Sequence, residues 1–207
     1  MTIRELAESL LFEEEGGELD FKRAQYKFEQ ATDAEKSELL KDILAFANAW
    51  RRAEAYIFIG VEEVKGARST VIGITHHIDD AKLQQFVNSK TNRPVDMSYI
   101  PLELDGKQVA LIQIPLQQRP VFLLKDYGLL SKNTVYVRRG SSTDVAKPDE
   151  IARMGHEAAT APLRAPSCPR SQSLGNTTKS WTSRSRLKQR THAFLPTRTF
   201  PSTALPM

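Results

Sequence analysis

Apolar residues recur at helical spacing at the start of the chain. Ile3, Leu6, Leu10 and Leu11 share one face, and the spacing predicts a helix from about Ile3 to Glu14, broken by Gly16-Gly17. The period then changes to two. In ELDFK, Glu18 to Lys22, Leu19 and Phe21 alternate with Glu18, Asp20 and Lys22, as in a strand with one buried and one polar face. Thr32 and Glu35 stand three apart as a capping box. After them Leu39, Leu40, Ile43, Leu44, Phe46, Ala47 and Trp50 form the broad apolar face of a helix of about five turns. AYIFIGV, Ala55 to Val61, is apolar on both faces and reads as a central strand. Asp79 or Asp80 caps a helix carrying Leu83, Phe86 and Val87 and ending near Ser89. MSYIPLEL and QVALIQI flank Asp105-Gly106, a hairpin signal, and VFLLK (Val121 to Lys125) and TVYVRR (Thr134 to Arg139) are two further strand candidates. Pro148 opens a short helix reaching Met154. Helices interspersed with antiparallel strands predict an α+β domain with a mixed, mainly antiparallel sheet and packed helices.

Periodicity stops after Gly155. Between His156 and Met207, Ser, Thr and Pro supply 21 of 52 positions, and single hydrophobics such as Trp181 and Phe194 follow no pattern. Such a segment buries too little apolar area to offset chain entropy. The expected organisation is a domain over 1–155 and a disordered basic Ser/Thr/Pro-rich tail over 156–207. SRSRLKQR in that tail would lend sequence-blind phosphate affinity, but the composition favours a linker remnant or an out-of-frame extension.

Charge follows the same division. Eight Lys and Arg lie beyond Gly155 against one acid, Glu157, while the whole chain carries only +4, so the first 155 residues are mildly acidic. Global basicity is therefore no argument for nucleic acid, and only a local patch can serve. An acidic ordered part is compatible with a homodimer that assembles a composite basic groove. No apolar run approaches the roughly 18 residues of a membrane span, and the N-terminus is acid-rich rather than signal-like, so a cytoplasmic protein is expected. Cys168 is the single cysteine, and the four His follow no ligand spacing. Gly106-Lys107 lacks the remainder of a phosphate loop, with Gln108 next and Pro101 in place of the first glycine.

Two constellations carry possible chemistry. Glu15 precedes Asp20 by five residues across the glycine break, and Glu62-Glu63 follow the central strand. If the two strands are neighbours, Asp20 and Glu63 approach within metal-bridging reach. Carboxylates gathered in this way take Mg²⁺ or Mn²⁺, and Lys22 would neutralise charge developing on a phosphate. The alternative is solvated acids, with Lys22 paired to Glu18 or Asp20. The second constellation is VYVRRGSST, Val135 to Thr143. There Arg138 and Arg139 leave a strand into a glycine turn with Ser141 and Ser142, offering guanidinium, amide and hydroxyl donors to a phosphate; a strand end whose hydroxyls satisfy turn amides reads the same way. Lys90 and Arg93 form a third basic group, placed where cations complement a helix C-terminus.

The order of the pieces is more specific than any one of them. E-x-x-x-x-D-F-K (Glu15 to Lys22), ILAFANA (Ile43 to Ala49), YIFIGVEE (Tyr56 to Glu63), Arg119-Pro120 and YVRRGSST (Tyr136 to Thr143) together resemble the Schlafen-type AlbA-like domain, over about residues 10 to 155. The resemblance implies the AlbA-like/Schlafen core and a DNA- or RNA-binding module within a bacterial regulatory or defence-type protein. It implies two further functions. One is the metal-dependent endoribonuclease activity of animal Schlafen proteins, with Mg²⁺ or Mn²⁺ on Glu15, Asp20 and Glu63; the other is the ATP binding attributed to bacterial relatives described as divergent AAA-type proteins. Asp20 and Glu63 exchange the acid types of the animal enzymes, and a misplacement of about 1 Å costs roughly a hundredfold in rate. The family's usual Gly-Gly after AFAN is replaced by WRRA, which adds Arg51 and Arg52 either as phosphate contacts or as helix caps. The expected nucleic-acid contacts are therefore Lys22, Arg51, Arg52, Arg138, Arg139, Ser141 and Ser142.

Overall fold

The computed structural model describes residues 2–160. In chain order the elements are α1 (Ile3–Leu10), β1 (Leu19–Lys22), α2 (Asp33–Asn48), β2 (Ala55–Ile59), β3 (Val61–Glu62), β4 (Thr70–Val71), α3 (Asp80–Asn88), β5 (Ser98–Leu104), β6 (Lys107–Ile114), β7 (Tyr136–Arg139), β8 (Ser142–Val145) and α4 (Pro148–Thr160). The main sheet has the order β1-β2-β6-β5, with β1 parallel to β2 and the other pairs antiparallel, and β3-β4 and β7-β8 form separate two-stranded sheets. The fold is α+β.

Local signals explain most of these elements. Thr32 and Glu35 close their capping box at the start of α2, and Thr2 and Glu5 close another at α1. Asp105 and Gly106 both adopt positive φ, +52° and +69°, and join Leu104 to Lys107 across a two-residue turn whose twist suits antiparallel strands. Strand parity divides the core. Leu19, Phe21, Phe58, Val109 and Leu111 pack with Ala7 and Leu11 of the α1 segment on one face, while Ile57, Ile59, Ala110 and Ile112 pack with Leu40, Ile43, Phe46 and Leu83 on the other. The second half of α2 is buried all round because β7 packs against it as well.

Three expectations are corrected. Helix α1 ends at Leu10 rather than Glu14, since Glu13 and Glu14 would crowd the negative end of the helix dipole and no cation lies in the last turn. VFLLK is no strand: only Leu123 makes a bridge, to Thr91, and the side-chain amide of Asn48 holds Val121 on both its N–H and its carbonyl. The helix from Pro148 passes Met154 and runs to Thr160, where Glu157 meets Arg119 and the Ala158 carbonyl accepts from Gln118, so residues 156–160 are helical rather than part of a disordered tail. The rest of the expected tail, 161–207, lies outside the described residues.

Candidate functional site

Because Leu19 and Phe21 face the α1 side, Asp20 and Lys22 of β1 must face α2. There Asp20 meets Arg138 of β7, with Nη2 2.8 Å from Oδ1, and the residues are 3% and 6% exposed. Arg138 Nε also donates to the carbonyls of Gly16 and Gly140, at 3.2 and 2.9 Å, and the guanidinium lies 4.9 Å from the Phe46 ring centre. Lys22 Nζ stands 2.8 Å from Asp20 Oδ2 and 3.1 Å from Asp42 Oδ2, and the Tyr26 hydroxyl donates to Asp42 at 2.7 Å. Asp20 Oδ2 is buried and receives no aligned hydrogen bond, so the Lys22 charge is what compensates it. Two carboxylates and two cations thus form one chain of opposite charges with a phenol at its end. Burial drives the Lys22 pKa down, but Asp42 and Asp20 outweigh it and the net shift is upward; burial, then the Asp42 charge, raises that of Tyr26 well above the ordinary phenol.

Glu15 and Glu63 do different work. β1 is an edge strand whose outward Phe21 N–H donates to Glu15 Oε1 at 3.1 Å, while the Glu15 N–H donates to Glu63 Oε1 at 2.8 Å. Gly16 N–H completes the cover by donating to the Leu19 carbonyl. An open strand edge is thereby closed by its own preceding turn. Each carboxylate of the expected metal trio already has a partner within the protein. Asp20 is engaged with Arg138 and Lys22, and Glu15 and Glu63 accept backbone amides at the edge. Among the described residues no three His, Cys, Asp or Glu side chains are grouped to hold a metal ion.

The expected phosphate contacts are also largely engaged. Arg51 caps α2, donating from Nε to the Phe46 carbonyl at 3.1 Å and from Nη2 to the Pro115 carbonyl at 2.7 Å; burial lowers its pKa. Arg139 grips Glu150 with two bonds of 2.9 and 2.7 Å and touches Asp144 at 3.2 Å, and that grip, with the Lys147 amide, holds the Glu150 carboxyl at about 2. Ser142 Oγ donates to the Arg139 carbonyl. Arg52 and Ser141 are exposed, and Arg52 enters the hydrogen bonding through its backbone N–H, to Glu18.

Sequence reasoning missed Asn48, Asp42 and Tyr26. Asn48 is fully buried and donates to the Val121 and Tyr136 carbonyls while accepting from the Val121 N–H. A polar amide within the apolar run AFANA was the available signal, since such a group is buried only with partners.

Two solved structures are similar to this chain. The DIP2311 protein of Corynebacterium diphtheriae shares 17% identity at a TM-score of 0.46, covering 68% of this chain and 24% of that one. The N-terminal domain of a RecG-related protein from Nitrosomonas europaea shares 22% at a TM-score of 0.41, covering 68% and 89%. The chain thus spans about a quarter of the DIP2311 chain. No curated protein matches it. The Schlafen, AlbA_2 family model matches residues 15–147, the span from the Glu15 edge cover through the β7-β8 hairpin. The chain belongs to the Schlafen AlbA_2 family.

Proposed function

We propose that residues 1–155, with α4 carrying the fold on to Thr160, form a nucleic-acid-binding domain that holds its ligand without cutting it. Family membership supports the choice of ligand. The observation that favours holding over cutting is the engagement of all three candidate carboxylates: Asp20 by Arg138 and Lys22, Glu15 by the Phe21 amide, Glu63 by the Glu15 amide. A catalytic metal needs acceptor oxygens directed into one open position, whereas Asp20 is turned into the fold and Glu15 and Glu63 each give an oxygen to a backbone amide. Arg52 and Ser141, exposed near the ends of α2 and β7, are the expected contacts still open to a phosphate. A homodimer belongs to the same proposal and is read from the stoichiometry of the complex in sedimentation.

The test uses the full chain with an RNA hairpin and a DNA duplex, each with and without Mn²⁺. The expected result is binding that weakens steeply with salt, is indifferent to Mn²⁺ and leaves the nucleic acid intact. Mn²⁺-dependent cleavage abolished by Glu63→Gln, which keeps an oxygen for the Glu15 amide, would overturn the proposal.

A further inference from the structure

The ion pairs among the described residues draw on Lys22, Lys27 and Lys82 but not on Lys36, Lys90, Lys125 or Lys132. These four are tied to one structural unit. Phe28, Phe86 and Tyr127 pack edge to face, with ring centres 5.3 and 5.5 Å apart. Lys90 Nζ lies 4.6 Å from the Phe86 ring and 4.2 Å from Tyr127, and Lys36 Nζ lies 5.7 Å from Phe28. A cation over a ring face is held electrostatically without using its N–H donors, so both ammoniums remain able to donate.

The loop bearing the other two lysines is firmly built. Leu124 N–H donates to the Lys90 carbonyl, Tyr127 and Leu130 exchange backbone bonds of 2.9 Å, Tyr127 hydroxyl donates to Asp33 at 2.8 Å, and Leu129 N–H donates to Ser37 Oγ at 3.2 Å. Gly128, at φ +54°, lies so close to α2 that a Cβ there would stand 2.3 Å from the Asp33 carbonyl. Asp33 accepts from Tyr127 and Asp126 accepts from the Lys132 amide, and neither appears in an ion pair with the four lysines among the described residues. Leu124 and Leu129 are nevertheless 57% and 75% exposed. Two ring-held cations, Lys36 and Lys90, thus lie on the same unit as a tied loop that carries Lys125, Lys132 and two outward leucines, a ledge of cations and apolar side chains.

We propose that this ledge is where the domain holds a single-stranded nucleic acid, with phosphates on Lys36, Lys90, Lys125 and Lys132 and sugars or unstacked bases on Leu124 and Leu129. The inference rests on the nucleic-acid-binding reading and moves its main contact surface away from the β7-β8 turn. A single strand is the occupant because it presents apolar base faces alongside its charges, whereas a duplex would leave both leucines facing its charged backbone.

The test is fluorescence anisotropy of the full chain with a labelled unstructured RNA and the DNA of the same sequence, across a salt series. Lys36, Lys90, Lys125 and Lys132 are changed to Gln together. The expected result is at least a tenfold loss of affinity near physiological salt and a salt slope smaller by roughly 3, from about 0.7 per phosphate contact. Lys125→Gln/Lys132→Gln, which leaves the ring contacts intact, gives about half of that change. Lys65→Gln/Lys147→Gln, a charge-matched control elsewhere, changes the slope by less than either. Failure of the unaltered chain to bind any nucleic acid would defeat the underlying reading. Binding that survives the fourfold change, or falls equally in the control, would defeat the ledge alone. A fourfold variant that loses attachment to phosphatidylserine vesicles while keeping nucleic acid would overturn it in favour of a lipid surface.

Discussion

Asp20 and Arg138, 118 positions apart, meet at 2.8 Å and are both buried. That bond turns the two residues that looked most chemical in the sequence into a tie between the first strand and the β7-β8 hairpin. Removing one member of a buried pair leaves the other uncompensated. Asp20→Asn is therefore expected to destabilise the domain by about 3 kcal/mol or more, read from urea unfolding. A carboxylate kept free for a metal would behave in the opposite way, and its neutralisation would leave stability unchanged or raise it.

Asn48 replaces a strand partner for Val121. Asn48→Ala orphans the Val121 N–H and the Val121 and Tyr136 carbonyls in the interior, a loss on the order of 3 kcal/mol. Asn48→Asp is expected to be worse, because a carboxylate keeps the bond from Val121 N–H but sets an anion against two carbonyls. Urea midpoints for the two variants check the order, and equal midpoints would contradict this account.

How far the fold was legible follows from the range of each interaction. The Thr32–Glu35 box, the Asp105-Gly106 turn and the parity of β1 are decided within a few residues, and each was readable. Asp20 was readable as polar, but not as buried, because its partner is remote in sequence. Arg138 and Arg139 were read as phosphate donors since two adjacent arginines beside a glycine turn carry no mark of Gly16, Asp20 or Glu150 waiting to receive them. VFLLK failed as a strand for the same reason: the amide that holds it is on α2. Lys90 was noted as a helix-end cation, and its two aromatic neighbours could not be inferred from spacing.

Acid will weaken the fold through two paired carboxyls near the surface. Glu35, held by Lys27 and the Thr32 amide, and Glu150, held by Arg139 and the Lys147 amide, both sit at about 2 instead of 4.5. Their folded values are depressed, so their contribution is complete above about pH 4.5 and is lost as pH falls toward 2. The urea midpoint of Glu35→Gln/Glu150→Gln is expected to be lower at neutral pH and to fall less in acid than that of the unaltered chain. High salt should shrink the difference, as both groups are partly open to solvent. Parallel acid limbs would refute it.

Alkali acts on the buried chain instead. Tyr26 is raised by burial and then by Asp42, while Lys22 is raised because Asp42 and Asp20 outweigh burial. Both contributions are complete below about pH 10 and disappear as pH rises further, since the unfolded chain sheds these protons first. Absorbance at 295 nm should show one of the five tyrosines ionising only together with loss of far-UV circular dichroism, and Tyr26→Phe should remove that phase. Ionisation of all five before unfolding would show Tyr26 to be accessible.

The Asp20–Arg138 tie also has a bearing on synthesis. Until the ribosome has released residue 138, the nascent N-terminal strand holds an anion with only Lys22 to face it and its second cation still missing, so chains arrested earlier should remain protease-sensitive even with every strand of the main sheet already made.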